Sequence, residues 1–219
     1  DIVDSLHVRI SFPTRTTEFA VGFSGTDSQG AQRNLRATLA SSQNFEGCAS
    51  RTDALWQAEL DRAQVAGGSA AQKRIYATAL YHAFSVPNLW SDVDGRYRGM
   101  DGRIHSDPDH AHYTVFSLWD TYRTAHPLYA LVQPERTRDF IATMLDMHEQ
   151  SGRLPVWELA GNETNCMIAY HSVSVLADAH AKGYEIDSER LLKAMVATAQ
   201  TPVFGIPNYR SNGYLSIQD

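Results

Sequence analysis

The spacing of apolar residues changes near Asp27, and this change constrains the fold more than any other feature of the chain. Before it, apolar residues alternate as they do in strands; after it, they recur three to four residues apart, the period of amphipathic helices. With their capping and Gly/Pro stop signals, these later segments predict seven helices. The predicted helices are 28–40, 52–66, 69–84, 113–132, 134–151, 164–182 and 188–200. The chain is therefore predicted to be mainly α-helical.

The alternating segment at the start predicts two strands. The apolar positions that alternate are Val3, Leu6, Val8 and Ile10 in the first strand, and Phe19, Val21 and Phe23 in the second. Because an isolated two-stranded hairpin is marginally stable, we expect these strands to belong to a larger β domain. Residues 1–26 are thus predicted to be the end of a β domain and a linker.

The helices differ in how much of their surface is apolar. The helix that begins at Ser69 is rich in alanine and aromatic residues, and the helix over 164–182 is almost wholly apolar, so both are predicted to be buried on several sides. Inner helices ringed by outer ones are typical of an (α/α)6 toroid. A toroid of six helix pairs needs ~12 helices of usual length. Residues 27–219 are therefore predicted to form about half of one.

Composition excludes several classes of partner. The 219 residues are 43% apolar and 20% charged, as in an ordinary globular protein, and the formal net charge of −6 provides no basic surface for nucleic acid. No apolar run approaches the ~20 residues of a membrane span, so membrane insertion is not expected. Two cysteines, Cys48 and Cys166, allow one disulfide at most.

The long polar connection over residues 88–113 contains two candidate metal-binding patterns. The first, DVDG at 92–95, lacks the glycine and glutamate of an EF-hand, since Tyr97 and Arg103 stand at those positions, and we predict a turn. The second is His110-Ala-His112, which could place two imidazoles on one side of a strand. No third ligand follows at a useful spacing, so we predict solvated histidines and no metal ligand in this chain.

The strongest catalytic pattern is the segment 152–172, GRLPVWELAGNETNCMIAYHS. It places Glu158 and Glu163 beside Trp157 and Asn162 on a loop that leads into an apolar helix. Two carboxylic acids beside an aromatic ring suit glycoside hydrolysis, in which one acid protonates the leaving oxygen. The alternative is that one glutamate caps the helix and the other is solvated.

A second cluster precedes it in sequence. Asp120 and Arg123 are three residues apart and follow Trp119, so they would share one helix face as a structural ion pair or as ligands for sugar hydroxyls. His171 is a candidate pocket residue, although a histidine on an apolar helix is more often a core residue. Cys166 is expected to lie in the core.

Three segments together resemble glycoside hydrolase family 92, the exo-acting α-mannosidases. They are DVDGRYRGMDG at 92–102, YTVFSLWDTYRTAHPL at 113–128 and GRLPVWELAGNETNCMIAYHSVSVLADA at 152–179. The resemblance implies an inverting, calcium-dependent hydrolase that removes terminal α-linked mannose from N-glycan-type or mannan chains. It also implies that residues 1–26 are the terminal strands of a β-sandwich domain and a linker, and that residues 27–219 are the N-terminal half of an (α/α)6 catalytic domain. Secretion, a periplasmic location or display at the cell surface is implied as well. The general base and the calcium ligands are implied to lie beyond this chain, in the remaining part of the same protein.

Within this resemblance the chain would supply the general acid. Both Glu163 and Glu158 are candidates; Asn162 and Thr164 flank Glu163 with hydrogen-bonding groups, which favours it. A helix N-terminus, however, favours an ionised carboxylate, whereas a general acid must be protonated. The substrate-binding candidates are Trp119, Asp120, Arg123, Trp157, Asn162 and His171. Two other classes stay open: another (α/α)6 carbohydrate enzyme, such as a lyase or inverting glucosidase, and a non-catalytic helical binding or scaffold domain.

Overall fold

A computed structural model describes residues 9–13 and 17–216 of the chain, and helices dominate it. The helices are α1 (Ser28–Ser42), α2 (Phe45–Leu60), α3 (Ala70–Ala83), α4 (Leu118–Thr121), α5 (Ala125–Val132), α6 (Pro134–Ser151), α7 (Ser172–Ala181), α8 (Ser188–Gln200) and α9 (Ile206–Asn212). The prediction of a mainly α fold is confirmed. None of the described helices is long and apolar enough to span a membrane.

Short strands form three antiparallel pairs in the connections between helices. The pairs are β1 (Asn88–Leu89) with β4 (Tyr113–Thr114), β2 (Arg96–Arg98) with β3 (Ile104–Ser106), and β5 (Phe116–Ser117) with β6 (Trp157–Glu158). The last pair joins segments 40 residues apart in sequence and, as described below, builds the candidate site.

The core lies around α6, which packs between α5 and α8 while α5 also contacts α7. Phe140 on α6 makes edge-to-face contacts with Tyr129 and Phe116, an arrangement that adds to the stabilisation from burial. Met144 and Leu176 are fully buried beside them. The same core cluster includes Phe116 of β5 and Leu154 just before β6, so both strands are packed against these helices.

Sequence signals at helix ends are confirmed. Ser69 and Gln72 form the reciprocal hydrogen bonds of a capping box at the start of α3. Pro134 opens α6, where its missing N–H has no intrahelical acceptor to lose, and Gly152 ends that helix in the left-handed conformation with φ 83°.

Two features of the early helices were predicted wrongly. The second helix begins at Phe45 instead of Thr52, because Asn44 accepts a hydrogen bond from the Gly47 N–H and caps it. The third helix is not buried on several sides: within the described structure Leu80 is its one buried side chain, and Ile75 is 69% exposed.

Two predicted helices are interrupted by strands or irregular chain. Over 113–132 the chain forms β4, β5 and the short α4 before α5 begins, because these residues pair with distant strands. Over 164–182 the helix begins only at Ser172. Cys166 and Ile168 precede it and are exposed, so the prediction that Cys166 lies in the core is wrong.

The strands predicted over 1–26 fall partly outside the described residues. Where the chain is described, at 9–13 and 17–24, it has no hydrogen-bonded strand, and Phe19 and Phe23 are exposed. The assignment of this segment to a β-sandwich domain stays a prediction.

Buried Asp92 ties the segment before α1 to the long connection. Its carboxylate accepts hydrogen bonds from the hydroxyls of Ser24 and Thr26, both at 2.7 Å, and from the Asn34 amide at 2.8 Å. The Gly95 N–H donates to the Asp92 carbonyl at 2.9 Å, which confirms the predicted turn at DVDG. Because these protein groups satisfy Asp92, the segment is a structural anchor.

Candidate active site

The two candidate acids lie on a tight β-hairpin, in which Glu158 and Glu163 face each other as a bridge pair. Leu159 and Asn162 exchange backbone hydrogen bonds across its turn, at 2.8 and 3.1 Å. The two residues between them have φ of 54° and 75°, as a type I′ turn requires. The second of these is Gly161, where a Cβ would lie 2.7 Å from the Arg98 carbonyl oxygen. Only glycine fits this close approach to β2.

Glu158 is fully buried and its carboxylate is surrounded by donors. The Thr114 hydroxyl donates to it at 3.0 Å, the Val115 N–H at 3.1 Å and the Gly161 N–H at 2.7 Å. Burial nevertheless raises the pKa of Glu158 to about 7, and the charge of Glu163 acts in the same direction. Val115 reaches the carboxylate with φ 68°, a strained backbone conformation for a β-branched residue. The N–H group that Val115 donates to Glu158 is therefore positioned by a strained backbone conformation.

Glu163 is only partly buried, and among the described residues its carboxylate is held by backbone groups alone. The N–H groups of Val156, Trp157 and Asn165 donate to it at 2.7, 3.0 and 3.0 Å. The two acids of one hairpin are thus placed differently: Glu158 is sealed inside, and Glu163 lies where solvent reaches it.

Ser117 connects the hairpin to the second predicted cluster. It pairs with Trp157 in the β5–β6 ladder, and its hydroxyl donates to the carboxylate of Asp120. Asp120 is exposed, at the start of the short α4, and Trp157 is partly buried. The structure therefore brings Asp120, Trp157 and the acid pair into one contiguous region.

Arg123, Trp119 and His171 meet around Tyr122, which sequence reasoning missed. The Arg123 guanidinium carbon lies 6.0 Å from the centroid of the Trp119 ring and 5.1 Å from that of Tyr122. The rings of Tyr122 and His171 pack edge to face, with their centroids 4.2 Å apart. Burial, followed by the charge of Arg123, lowers the pKa of His171.

The predicted pairing of Asp120 with Arg123 is wrong. α4 ends at Thr121, so the two residues do not share a helix face. In the described structure the Asp120 carboxylate accepts from the Ser117 hydroxyl, and no ion pair joins it to Arg123. Arg123 instead donates to the Tyr122 hydroxyl at 2.7 Å. Asn162 is exposed at the hairpin turn, where its amide makes only a long contact, 3.4 Å, with the Glu163 carbonyl.

The prediction of solvated histidines in the long connection is also wrong. The side chain of His112 is 2% exposed and that of His110 is 14% exposed. Both lie against Asp146 of α6. This contact is not predictable from local spacing, because Asp146 is 34 residues beyond His112.

Comparison with known proteins assigns the family. The sequence model of the glycosyl hydrolase family 92 catalytic domain matches residues 30–219. The chain belongs to glycoside hydrolase family 92. No protein of curated function matches it.

Solved family 92 structures share the fold. The family GH92 α-mannosidase BT3965 from Bacteroides thetaiotaomicron is 38% identical with a TM-score of 0.82, and the match covers 89% of this chain and 26% of that one. The same protein in complex with mannoimidazole matches equally. The inverting family GH92 mannosidase BT2199 from the same bacterium is 27% identical with a TM-score of 0.77, over 89% of this chain and 28% of that one. The partial (α/α)6 toroid is thereby confirmed, and the chain spans about a quarter of the length of these relatives.

In this family 92 chain an apolar cavity of about 440 Å³ adjoins the hairpin. Val156 and Asn165, whose N–H groups bind Glu163, lie in its wall with Arg153, Tyr170 and Phe204. Arg153 donates to the Asn165 side chain and lies 5.6 Å from the centroid of the Phe204 ring. These contacts connect the hairpin to the segment that follows α8.

Proposed function

We propose that the protein is an α-mannosidase that removes terminal α-linked mannose from N-glycan-type or mannan chains by an inverting mechanism. Family membership and the 38% identity to an α-mannosidase support this proposal. That relative forms a complex with mannoimidazole, which supports a mannose-type substrate. The present chain would act with the remaining part of the same protein.

Glu163 would be the general acid. The observation that carries this assignment is the contrast in access: the Glu158 carboxylate is enclosed by protein donors with no exposed surface, whereas Glu163 is partly exposed. A proton donor must come within hydrogen-bonding reach of the glycosidic oxygen. Glu158 would be a positioning residue that fixes the hairpin through Thr114, Val115 and Gly161.

In the proposed reaction the protonated Glu163 gives its proton to the glycosidic oxygen as the bond from that oxygen to the anomeric carbon breaks. Water attacks the anomeric carbon from the opposite face and loses a proton to a carboxylate base ~6.5–9.5 Å away. Glu163 is left ionised, and the base is left protonated. The base would come from outside these 219 residues.

Exposed polar and aromatic groups beside the hairpin would hold the sugar. Trp119 and Trp157 offer ring faces, while Asp120 and Arg123 offer an acceptor and donors for hydroxyls. Asn162 and His171 would complete the rim, and burial lowers the pKa of His171.

Calcium and extracytoplasmic location are further parts of the proposal that rest on the family. The described residues fit calcium poorly: the Asp92 carboxylate is filled by hydroxyl and amide donors, and Asp94 pairs with Arg33 and Arg96. The cation would be bound by oxygen ligands outside this chain. Activity that persists after chelation, or retention of the native protein in the cytoplasm, would contradict these two points.

The acid assignment is tested by Glu163→Gln in the natural full-length protein, with Glu185→Gln on an exposed loop as the matched control. Loss of a general acid should lower kcat about 10²–10⁴-fold on a mannobiose, whose leaving group is poor. An activated aryl α-mannoside needs no protonation and should lose far less. Equal losses on both substrates, or no loss on either, would overturn the assignment.

A further inference from the structure

Three side chains with metal-binding atoms meet where the long connection crosses α6. His110 and His112 come from the residues before β4, and Asp146 comes from the middle of α6. His110 Nε2 lies 3.0 Å and His112 Nδ1 3.8 Å from Asp146 Oδ2, and all three ligand atoms lie within 4.8 Å of one another. The three groups therefore point at a common space between two elements.

His112 has a nitrogen that nothing satisfies. Its side chain is 2% exposed, yet Nδ1 has no hydrogen-bond partner in the described structure. The ring is fixed by stacking on Tyr97, at a centroid distance of 3.7 Å and an interplanar angle of 10°. A buried polar atom without a partner costs about 1–3 kcal/mol. A ligand at this position would remove that cost.

The surroundings orient the other two groups. His110 Nδ1 lies 3.2 Å from a carboxylate oxygen of Asp107, the outer-shell arrangement that directs the opposite ring nitrogen towards a metal. Arg190 donates to Asp146 Oδ1 at 2.9 Å, which leaves Oδ2 facing the histidines.

We propose that His110, His112 and Asp146 bind a divalent transition-metal ion, with zinc as the expected occupant. Zinc takes imidazole nitrogen and carboxylate oxygen at about 2.0–2.2 Å in tetrahedral geometry, which separates ligand atoms by roughly 3.3 Å. The observed separations bracket that value. Two imidazoles exclude calcium, which takes oxygen ligands, so this site is distinct from the calcium implied by the family.

A simple ion pair is the competing explanation. A protonated His110 between Asp107 and Asp146 accounts for both carboxylates without a metal. It leaves the buried nitrogen of His112 unexplained, and metal binding accounts for all three groups.

Zinc at this site would brace the connection that supports the candidate acids. Thr114, which donates to Glu158, follows His112 by two residues, and Asp146 belongs to the helix at the centre of the core. The metal would join these two parts by direct coordination.

The test uses the natural full-length protein, stripped with a chelator and titrated with zinc against a colorimetric competitor. Metal content per chain, thermal midpoint and the visible spectrum with cobalt are the readouts. His112→Phe keeps a ring against Tyr97 and removes the ligand. His105→Phe is the control, because His105 also stacks on Tyr97 but lies outside the cluster.

We expect one zinc ion per chain, a higher thermal midpoint with zinc, and the intense cobalt spectrum of a four-coordinate site. His112→Phe should weaken zinc binding at least about 100-fold, and His105→Phe should leave it unchanged. No stoichiometric zinc in the wild type, or equal binding by His112→Phe, would overturn the proposal. If His112→Phe does not fold, Asp146→Asn takes its place and should also weaken zinc binding. Unchanged zinc binding by Asp146→Asn, or no four-coordinate cobalt spectrum in the wild type, would overturn the proposal.

Discussion

Glu158 and Glu163 stand opposite each other on one hairpin, but the protein treats the two carboxylates differently. Glu158 has no exposed surface and a pKa raised to about 7 by burial, and one of its donors is the side chain of Thr114. Glu163 is partly exposed and is held only by backbone N–H groups. Five residues of separation thus place one acid inside the scaffold and the other at its surface.

Because Glu158 and Glu163 differ so much in exposure, residue type and spacing alone do not assign roles within an acid pair. A sealed carboxylate with fixed donors can orient a hairpin, whereas a proton donor needs access to its substrate. Val115 and Gly161, both with positive φ, donate their backbone N–H groups to the buried Glu158 carboxylate.

The largest effect concerns the pH dependence of stability. Because burial raises the pKa of Glu158 from an ordinary 4.5 to about 7, the folded state binds its proton more tightly than the unfolded state. Its contribution to stability is complete below pH 4.5 and is lost as pH rises to about 7. Urea unfolding should show a loss of about 3 kcal/mol over this range, relative to Glu158→Gln. Parallel pH profiles for the two proteins would contradict the burial of Glu158.

A smaller effect is expected for Thr114→Val. The Thr114 hydroxyl donates to Glu158 and accepts from the Ala160 N–H at 2.7 Å, so its removal leaves buried polar groups unpaired. The free energy of unfolding should fall by about 1–3 kcal/mol. Thr38→Val is the control, because its hydroxyl bonds only to a helix carbonyl in an exposed position. An equal loss of stability in Thr38→Val would contradict a specific contribution from the Thr114–Glu158 hydrogen bond.

The smallest effect is expected for Arg123→Gln on the exposed side of the site. The guanidinium lies beside Trp119 and Tyr122 and is proposed to donate to sugar hydroxyls. Loss of one such hydrogen bond should raise KM about 2–10-fold with little change in kcat. Steady-state kinetics should show no such change in Arg138→Gln, on the exposed face of α6. An unchanged KM in Arg123→Gln would separate this residue from substrate binding.

Local signals predicted much of the helical scaffold. Ser69 with Gln72, and Pro134 with Gly152, act within a few residues of themselves, so the sequence was sufficient to place α3 and α6. The hairpin was harder to predict. Its strand β6 pairs with β5, 40 residues earlier, and this long-range contact overrides the helical period of residues 113–121.

The candidate site was predicted in residue type more than in arrangement. Both glutamates were identified from the sequence, but burial separates them, and burial depends on tertiary packing around Thr114 and Val115. The donors to Glu163 are backbone N–H groups, which residue types do not reveal. The cluster at Asp146 was missed for a related reason, since its members come from a loop and a helix far apart in sequence.

The role proposed for Glu163 requires it to reach the scissile bond while Glu158 stays enclosed. Its most direct test is a crystal structure of the full-length Glu163→Gln variant with an unhydrolysed α-mannoside. We expect the side-chain amide at position 163 to lie within about 2.6–3.2 Å of the glycosidic oxygen, with Glu158 still hydrogen-bonded to Thr114. A structure with the Glu158 carboxylate on that oxygen would contradict it.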